Sequence, residues 1–94
     1  MNWRCDMLFV SLHKIKGKPT KENIAKADKL FDKIAKLGVN YIGRYWTLGR
    51  YDVVLIFEAA DEKTAMKAQV LASEFVTSET LVAVPRSEAT KLVE

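Results

Sequence analysis

Ninety-four residues make one domain (1–94), because two cores cut from so short a chain would each be too small to stand alone. Hydrophobic residues at 49% and charged residues at 29% are ordinary for a folded soluble protein, and with four Gly and two Pro no low-complexity run or linker appears. The formal charge of +3 rests on 11 Lys and 4 Arg. Lys-rich surfaces serve solvation, whereas recognition of phosphates and bases favours the planar Arg fork, so nucleic acid is not the expected partner.

The single cysteine, Cys5, excludes an intrachain disulfide and a cysteine metal cluster; it reads as a small half-buried hydrophobe near the start of the first strand. Segment 1–6 carries charges where a signal peptide needs an apolar core. The apolar runs fall far short of the roughly 20 residues of a membrane span. A cytoplasmic protein with no membrane partner is expected.

Met7-Leu8-Phe9-Val10-Ser11-Leu12 reads as a first strand that starts near Trp3, and Gly17 and Pro19 break the segment after it. Thr20 caps the helix that follows, with Glu22 in its first turn. Ile24, Ala27, Phe31, Ile34 and Ala35 keep helical spacing, while Lys26, Lys29, Lys33 and Lys36 fall opposite. Gly38 closes the helix in the left-handed region. Residues 39–47 make a second strand, rich in Tyr41, Ile42, Tyr45 and Trp46. Gly49-Arg50 fits a two-residue type II′ turn, which sets Thr47 opposite Asp52 and Trp46 opposite Val53. Residues 51–58 are the third strand. Asp61 caps a second helix whose inner face is Ala65, Ala68, Ala72 and Phe75, and so much alanine implies close approach to the sheet. Leu81-Val82-Ala83-Val84 is the fourth strand, closed by Pro85, and Ser87 caps a short terminal turn over 88–93.

The order βαββαβ, with right-handed crossovers, places both helices on one face of a four-stranded antiparallel sheet. The fold class is α+β, a ferredoxin-like plait. Val53-Val54-Leu55-Ile56-Phe57 then poses a problem, because a strand with one wet face should alternate apolar and polar residues. Alternation gives Val54 and Ile56 to one face and Val53, Leu55 and Phe57 to the other; Leu8 and Val10 likewise oppose Met7 and Phe9. The helices can cover only one set. At about 1.5–3 kcal/mol per fully buried large side chain, about six on the open face offer on the order of 10 kcal/mol. That is comparable to the cost of association. Self-association as a homodimer or higher homo-oligomer, sheet against sheet, is expected. The alternative is an apolar ligand or a different protein on that face.

At Thr47-Leu48-Gly49-Arg50-Tyr51-Asp52-Val53-Val54 the chain resembles the GYD domain family. Glu58-Ala59-Ala60-Asp61 before the second helix and Thr77-Ser78-Glu79-Thr80-Leu81 entering the last strand are also similar to it. Here Arg50 stands between Gly49 and Tyr51. The resemblance extends over nearly the whole chain and implies a dimeric α/β barrel, with no established activity.

The residues themselves suggest a small-molecule pocket, either between sheet and helices or at the dimer seam. Alternation puts Tyr41, Tyr45 and Thr47 on one strand face. With Tyr51 and Asp52 they would supply aromatic walls and a polar anchor. Asp52 has a structural alternative: accepting backbone N–H groups beside the turn, or pairing with Arg44 or Arg50. His13, the one histidine, joins them as a candidate ligand-binding residue; it is expected to be exposed near the loop after the first strand, with no paired carboxylate in the sequence to make it a base. No spacing suggests a metal site, and neither a cofactor nor a set of catalytic residues is identifiable. Lys14, Lys16, Lys18 and Lys21 form a basic loop that lacks a Gly-rich phosphate cradle and reads as solvated. Barrels of the implied shape also include cofactor-independent monooxygenases, haem-degrading oxygenases and isomerases. For haem, His13 would be the sole axial histidine. An effector-binding regulatory module would act on a separate chain, and fold alone does not choose among these.

Overall fold

The computed structural model describes residues 6–93; Trp3 and Cys5 lie outside the described residues. Strands β1 (Met7–Ile15), β2 (Asn40–Trp46), β3 (Val53–Ala59) and β4 (Val76–Ala83) pair antiparallel in the order β2-β3-β1-β4. Helices α1 (Lys21–Ala35) and α2 (Glu62–Ala72) pack on one face of this sheet. A short α3 (Arg86–Ala89) and a 3-10 turn (Thr90–Val93) follow β4. The chain forms the ferredoxin-like plait that its pattern predicts.

Local chemistry sets the boundaries. The Thr20 hydroxyl accepts the Asn23 N–H at 3.1 Å, and Asp61 Oδ1 accepts the Thr64 N–H at 2.9 Å, so both long helices begin at the expected caps. Gly38 leaves α1 at φ 98°, and Gly49 turns the β2–β3 hairpin at φ 105°. Residues 48–50 are an open bend rather than a tight bonded turn, yet Trp46 still pairs with Val53, and the Thr47 N–H donates to the Asp52 carbonyl.

Two strands are longer than their apolar runs. β1 continues from Leu12 to Ile15, and β4 starts at Val76 instead of Leu81. The cause is shared: Ser11 pairs with Thr80, His13 with Ser78, Lys14 with Thr77 and Ile15 with Val76. The polar halves of the two strands lie side by side and complete each other's backbone hydrogen bonds. At the other end of the chain, Pro85 rather than Ser87 occupies the N-cap of the terminal helix.

A second departure changes which side chains share a face. Tyr41 lies opposite Phe57, but the next pair is Gly43 with Ile56, so Ile42 is an extra residue in β2. Such a bulge reverses the alternation beyond it. Tyr41 therefore faces the helices, whereas Tyr45, opposite Val54, faces away from them. The expectation that these two tyrosines share a face is overturned. The Tyr45 ring folds over Gly43, where an added Cβ would sit 2.6 Å from a ring carbon.

The core lies on the helix side: Phe9, Leu55 and Phe57 from the sheet meet Ile34, Ala65 and Ala68 from the helices. Phe9 and Phe57 stack at 5.3 Å, and the Tyr41 ring meets Phe31 edge-on at 5.1 Å. The other face carries Leu8, Val10, Leu12, Val54 and Ile56, all partly exposed, and Leu81 at 50% exposure. Ala59 is fully buried in the core, at 0% exposure, so Ala59→Leu should destabilise the fold by about 1–3 kcal/mol in urea unfolding. Met66→Leu, on the exposed side of α2, should stay within about 0.5 kcal/mol of the parent.

Candidate functional site

Between α1 and the sheet the packing opens into two adjoining spaces. The inner one is a chamber of about 70 Å³ under α2, walled by Leu55, Phe57, Ala65, Ala68 and Ala72, with Ser11, Thr80 and Tyr41 at its edge. The outer one is a cleft of about 420 Å³. Its floor is His13, Ile15, Val53 and Val76; Ile24, Ala27 and Phe31 of α1 form one wall, and Phe75 the other. Trp46, Lys16, Lys18, Asp28 and Glu74 surround the mouth. Five residues, His13, Ala27, Phe31, Phe75 and Val76, line both spaces. Side-chain size contributes to the gap: Ala27, which lines both spaces, is the smallest of the α1 residues that face them.

His13 is buried, at 9% exposure, which corrects the expectation of an exposed loop histidine. The physical reason is the extra length of β1, which carries His13 into the sheet with strands on both sides. Its Nε2 lies 2.7 Å from the Ser11 hydroxyl, and that hydroxyl lies 3.0 Å from the Thr80 hydroxyl. Among the described residues, Nδ1 of His13 has no hydrogen-bond partner. Burial disfavours the imidazolium and lowers the pKa of His13 to about 4, so the ring is neutral near pH 7. Burial also pushes the Tyr41 phenol up to about 12, against the pull of Arg44, and keeps it protonated.

The remaining residues expected at a pocket are placed elsewhere. Asp52 Oδ2 accepts the Ile15 N–H at 2.8 Å, and the Asp52 N–H donates to the His13 carbonyl at 2.8 Å. Asp52 thus ties the hairpin to β1 by accepting a backbone N–H, the first of its two structural alternatives, and not by pairing with Arg44 or Arg50. Those guanidiniums lie over aromatic rings instead, Arg44 over Phe31 at 5.2 Å and Arg50 over Tyr51 at 5.7 Å. The Thr47 hydroxyl donates to the Tyr51 carbonyl at 2.7 Å. The Tyr51 hydroxyl donates to Glu79, a contact that raises the Tyr51 pKa. Tyr45, Thr47, Tyr51 and Asp52 lie outside both spaces; His13 borders both, and Tyr41 borders the inner chamber alone. Lys16 Nζ donates to the Ser73 carbonyl at 2.8 Å, so the basic loop is partly pinned across the cleft mouth. Ser11, Thr80, Phe31, Phe75 and Trp46 were not singled out by sequence as site residues. Ser11 carried a usable signal, since polar residues at 11 and 13 in an apolar strand must share a face.

Residues 11–93 match the GYD domain family. The chain belongs to that family. No curated protein matches this GYD domain. Among solved structures it is similar to MtbAldR, with TM-score 0.59 and 12% identity over 84% of this chain; it spans 53% of that chain, about half its length. It is also similar to SnoaB, a cofactor-independent oxygenase from Streptomyces nogalater, with TM-score 0.50 and 18% identity over 86% of this chain and 93% of that one. At these identities the likeness concerns the fold.

The buried histidine makes the stability of this GYD domain depend on pH. Between pH 6.5 and about 4 the unfolded chain binds a proton at His13 that the folded chain does not, so stability falls as pH falls through that window. Urea midpoints at pH 6.5 and 5 should therefore separate more for the parent than for His13→Leu, which lacks the titrating ring.

Proposed function

We propose that this GYD domain is a self-associating protein that binds a small molecule in the cleft between α1 and the sheet. The observation that carries the reading is a cleft of about 420 Å³ with mostly apolar walls, floored by a buried neutral histidine. That volume lies within the range of small-molecule sites, which combine apolar walls with few polar groups. The site belongs to the sheet–helix seam, one of the two places that the sequence leaves open. Leu8, Val10, Leu12, Val54, Ile56 and Leu81 support the second half of the reading, since a second copy placed sheet to sheet would bury them.

A second reading, an enzyme of the cofactor-independent oxygenase class to which SnoaB belongs, is favoured by one observation. His13 stands at the cleft with a hydroxyl partner on Nε2, an arrangement that can move a proton to or from a bound molecule. Oxygen uptake in the presence of a bound molecule separates the enzyme from the binding protein.

Binding itself is tested with N-phenyl-1-naphthylamine, an uncharged dye that fluoresces when it leaves water. It should saturate at one dye per chain and be lost in Ala27→Phe, which fills the cleft and leaves the melting temperature within a few degrees of the parent. Undiminished binding by the filled variant would place the dye elsewhere and remove the cleft from the account.

A further inference from the structure

Three hydroxyl and imidazole groups form a chain that ends at the cleft, and every link in it can reverse. Ser11 lies between Thr80 at 3.0 Å and His13 Nε2 at 2.7 Å, and in each contact either partner can be the donor. In one arrangement Thr80 donates to Ser11, Ser11 donates to Nε2, and Nδ1 carries the imidazole proton. In the other, Nε2–H donates to Ser11, Ser11 donates to Thr80, and Nδ1 is a bare acceptor. Both arrangements are neutral, and both satisfy Ser11, which is buried at 3% exposure. His13 lines the cleft, and Nδ1 is the ring atom that no described residue engages.

We propose that the Thr80–Ser11–His13 chain is the recognition element of the cleft, and that it takes an uncharged aromatic or alicyclic molecule bearing one oxygen function, either hydroxyl or carbonyl. The inference rests on the proposed binding function and names its ligand class. A carbonyl oxygen accepts from Nδ1–H in the first arrangement; a hydroxyl donates to Nδ1 in the second. The body of the molecule lies against Phe31, Phe75, Ile24 and Val53, with the inner chamber free for a small substituent or for water. Charge is not selected. Lys16 and Lys18 at the mouth are matched by Asp28 and Glu74, and the buried imidazole stays neutral, so nothing at the cleft floor compensates a carboxylate or an ammonium.

The test is a set of NMR titrations of the full chain with naphthalene, 2-naphthol, 2-acetylnaphthalene and 2-naphthoate, reading dissociation constants and the ¹⁵N resonances of His13. The two neutral oxygenated probes should bind roughly tenfold tighter than naphthalene, the ratio that one well-made hydrogen bond supplies. The carboxylate should gain nothing over naphthalene. Nδ1 should report a protonated nitrogen with the ketone and an unprotonated one with the naphthol, a readout that needs no variant. His13→Leu should erase the discrimination while still binding naphthalene. Equal binding of naphthalene and the oxygenated probes, tighter binding of the carboxylate, or the same Nδ1 state with both probes overturns the inference and leaves cleft binding intact. If none of the four perturbs the cleft residues, the binding function falls as well.

Discussion

The inner strands β1 and β3 carry large apolar side chains on both faces, while α1 and α2 cover only one of them. Phe9, Leu55 and Phe57 go under the helices and become the core. Leu8, Val10, Leu12, Val54 and Ile56 point the other way, and all five stay partly exposed. A sheet that is apolar on both sides has two different surfaces, and each constrains the rest of the molecule. The helix side must be closed by α1 and α2, and how well they close it decides where a cavity remains. The open side leaves large apolar side chains partly in water, and the proposed cover is a second copy.

On the helix side, closure is uneven because the two helices differ in side-chain size. α2 faces the sheet with the small buried side chains of Ala65, Ala68 and Ala72. α1 closes its C-terminal half with Leu30, Phe31 and Ile34, yet presents Ala27 where β1 turns polar. The gap falls where the sheet offers Ser11 and His13. A buried histidine without a hydrogen bond would be costly; here Ser11 satisfies one nitrogen, and no described residue engages the other. Asp52 reinforces the same region from behind, since it fastens the hairpin to the backbone of His13 and Ile15. A residue that attracts attention as a possible ligand anchor thus positions the strand that carries the histidine.

Much of the fold was legible because its signals are local. Thr20, Asp61, Gly38 and Gly49 act within a few residues of their own positions, and the structure uses each where its chemistry points. The misplaced features depend on partners distant in sequence. The polar stretch of β4 is a strand only because β1 lies beside it, and β1 reaches Ile15 only because β4 and Asp52 receive it. The bulge at Ile42 leaves no mark that periodicity can detect, and it moves Tyr45 to the opposite face from Tyr41. The cleft is likewise a relation among three elements, so strand alternation could place His13 and Ser11 together but could not show that Ala27 leaves room above them.

Membership of the GYD domain family and the likeness to MtbAldR and SnoaB concern the fold, and the two-sided sheet is the feature on which the account turns. Sedimentation equilibrium of the purified chain at micromolar concentration tests it most directly. The account requires at least twice the mass of a single chain, because the open face would otherwise stay in water. A single-chain mass across that range, with no bound molecule, would contradict it.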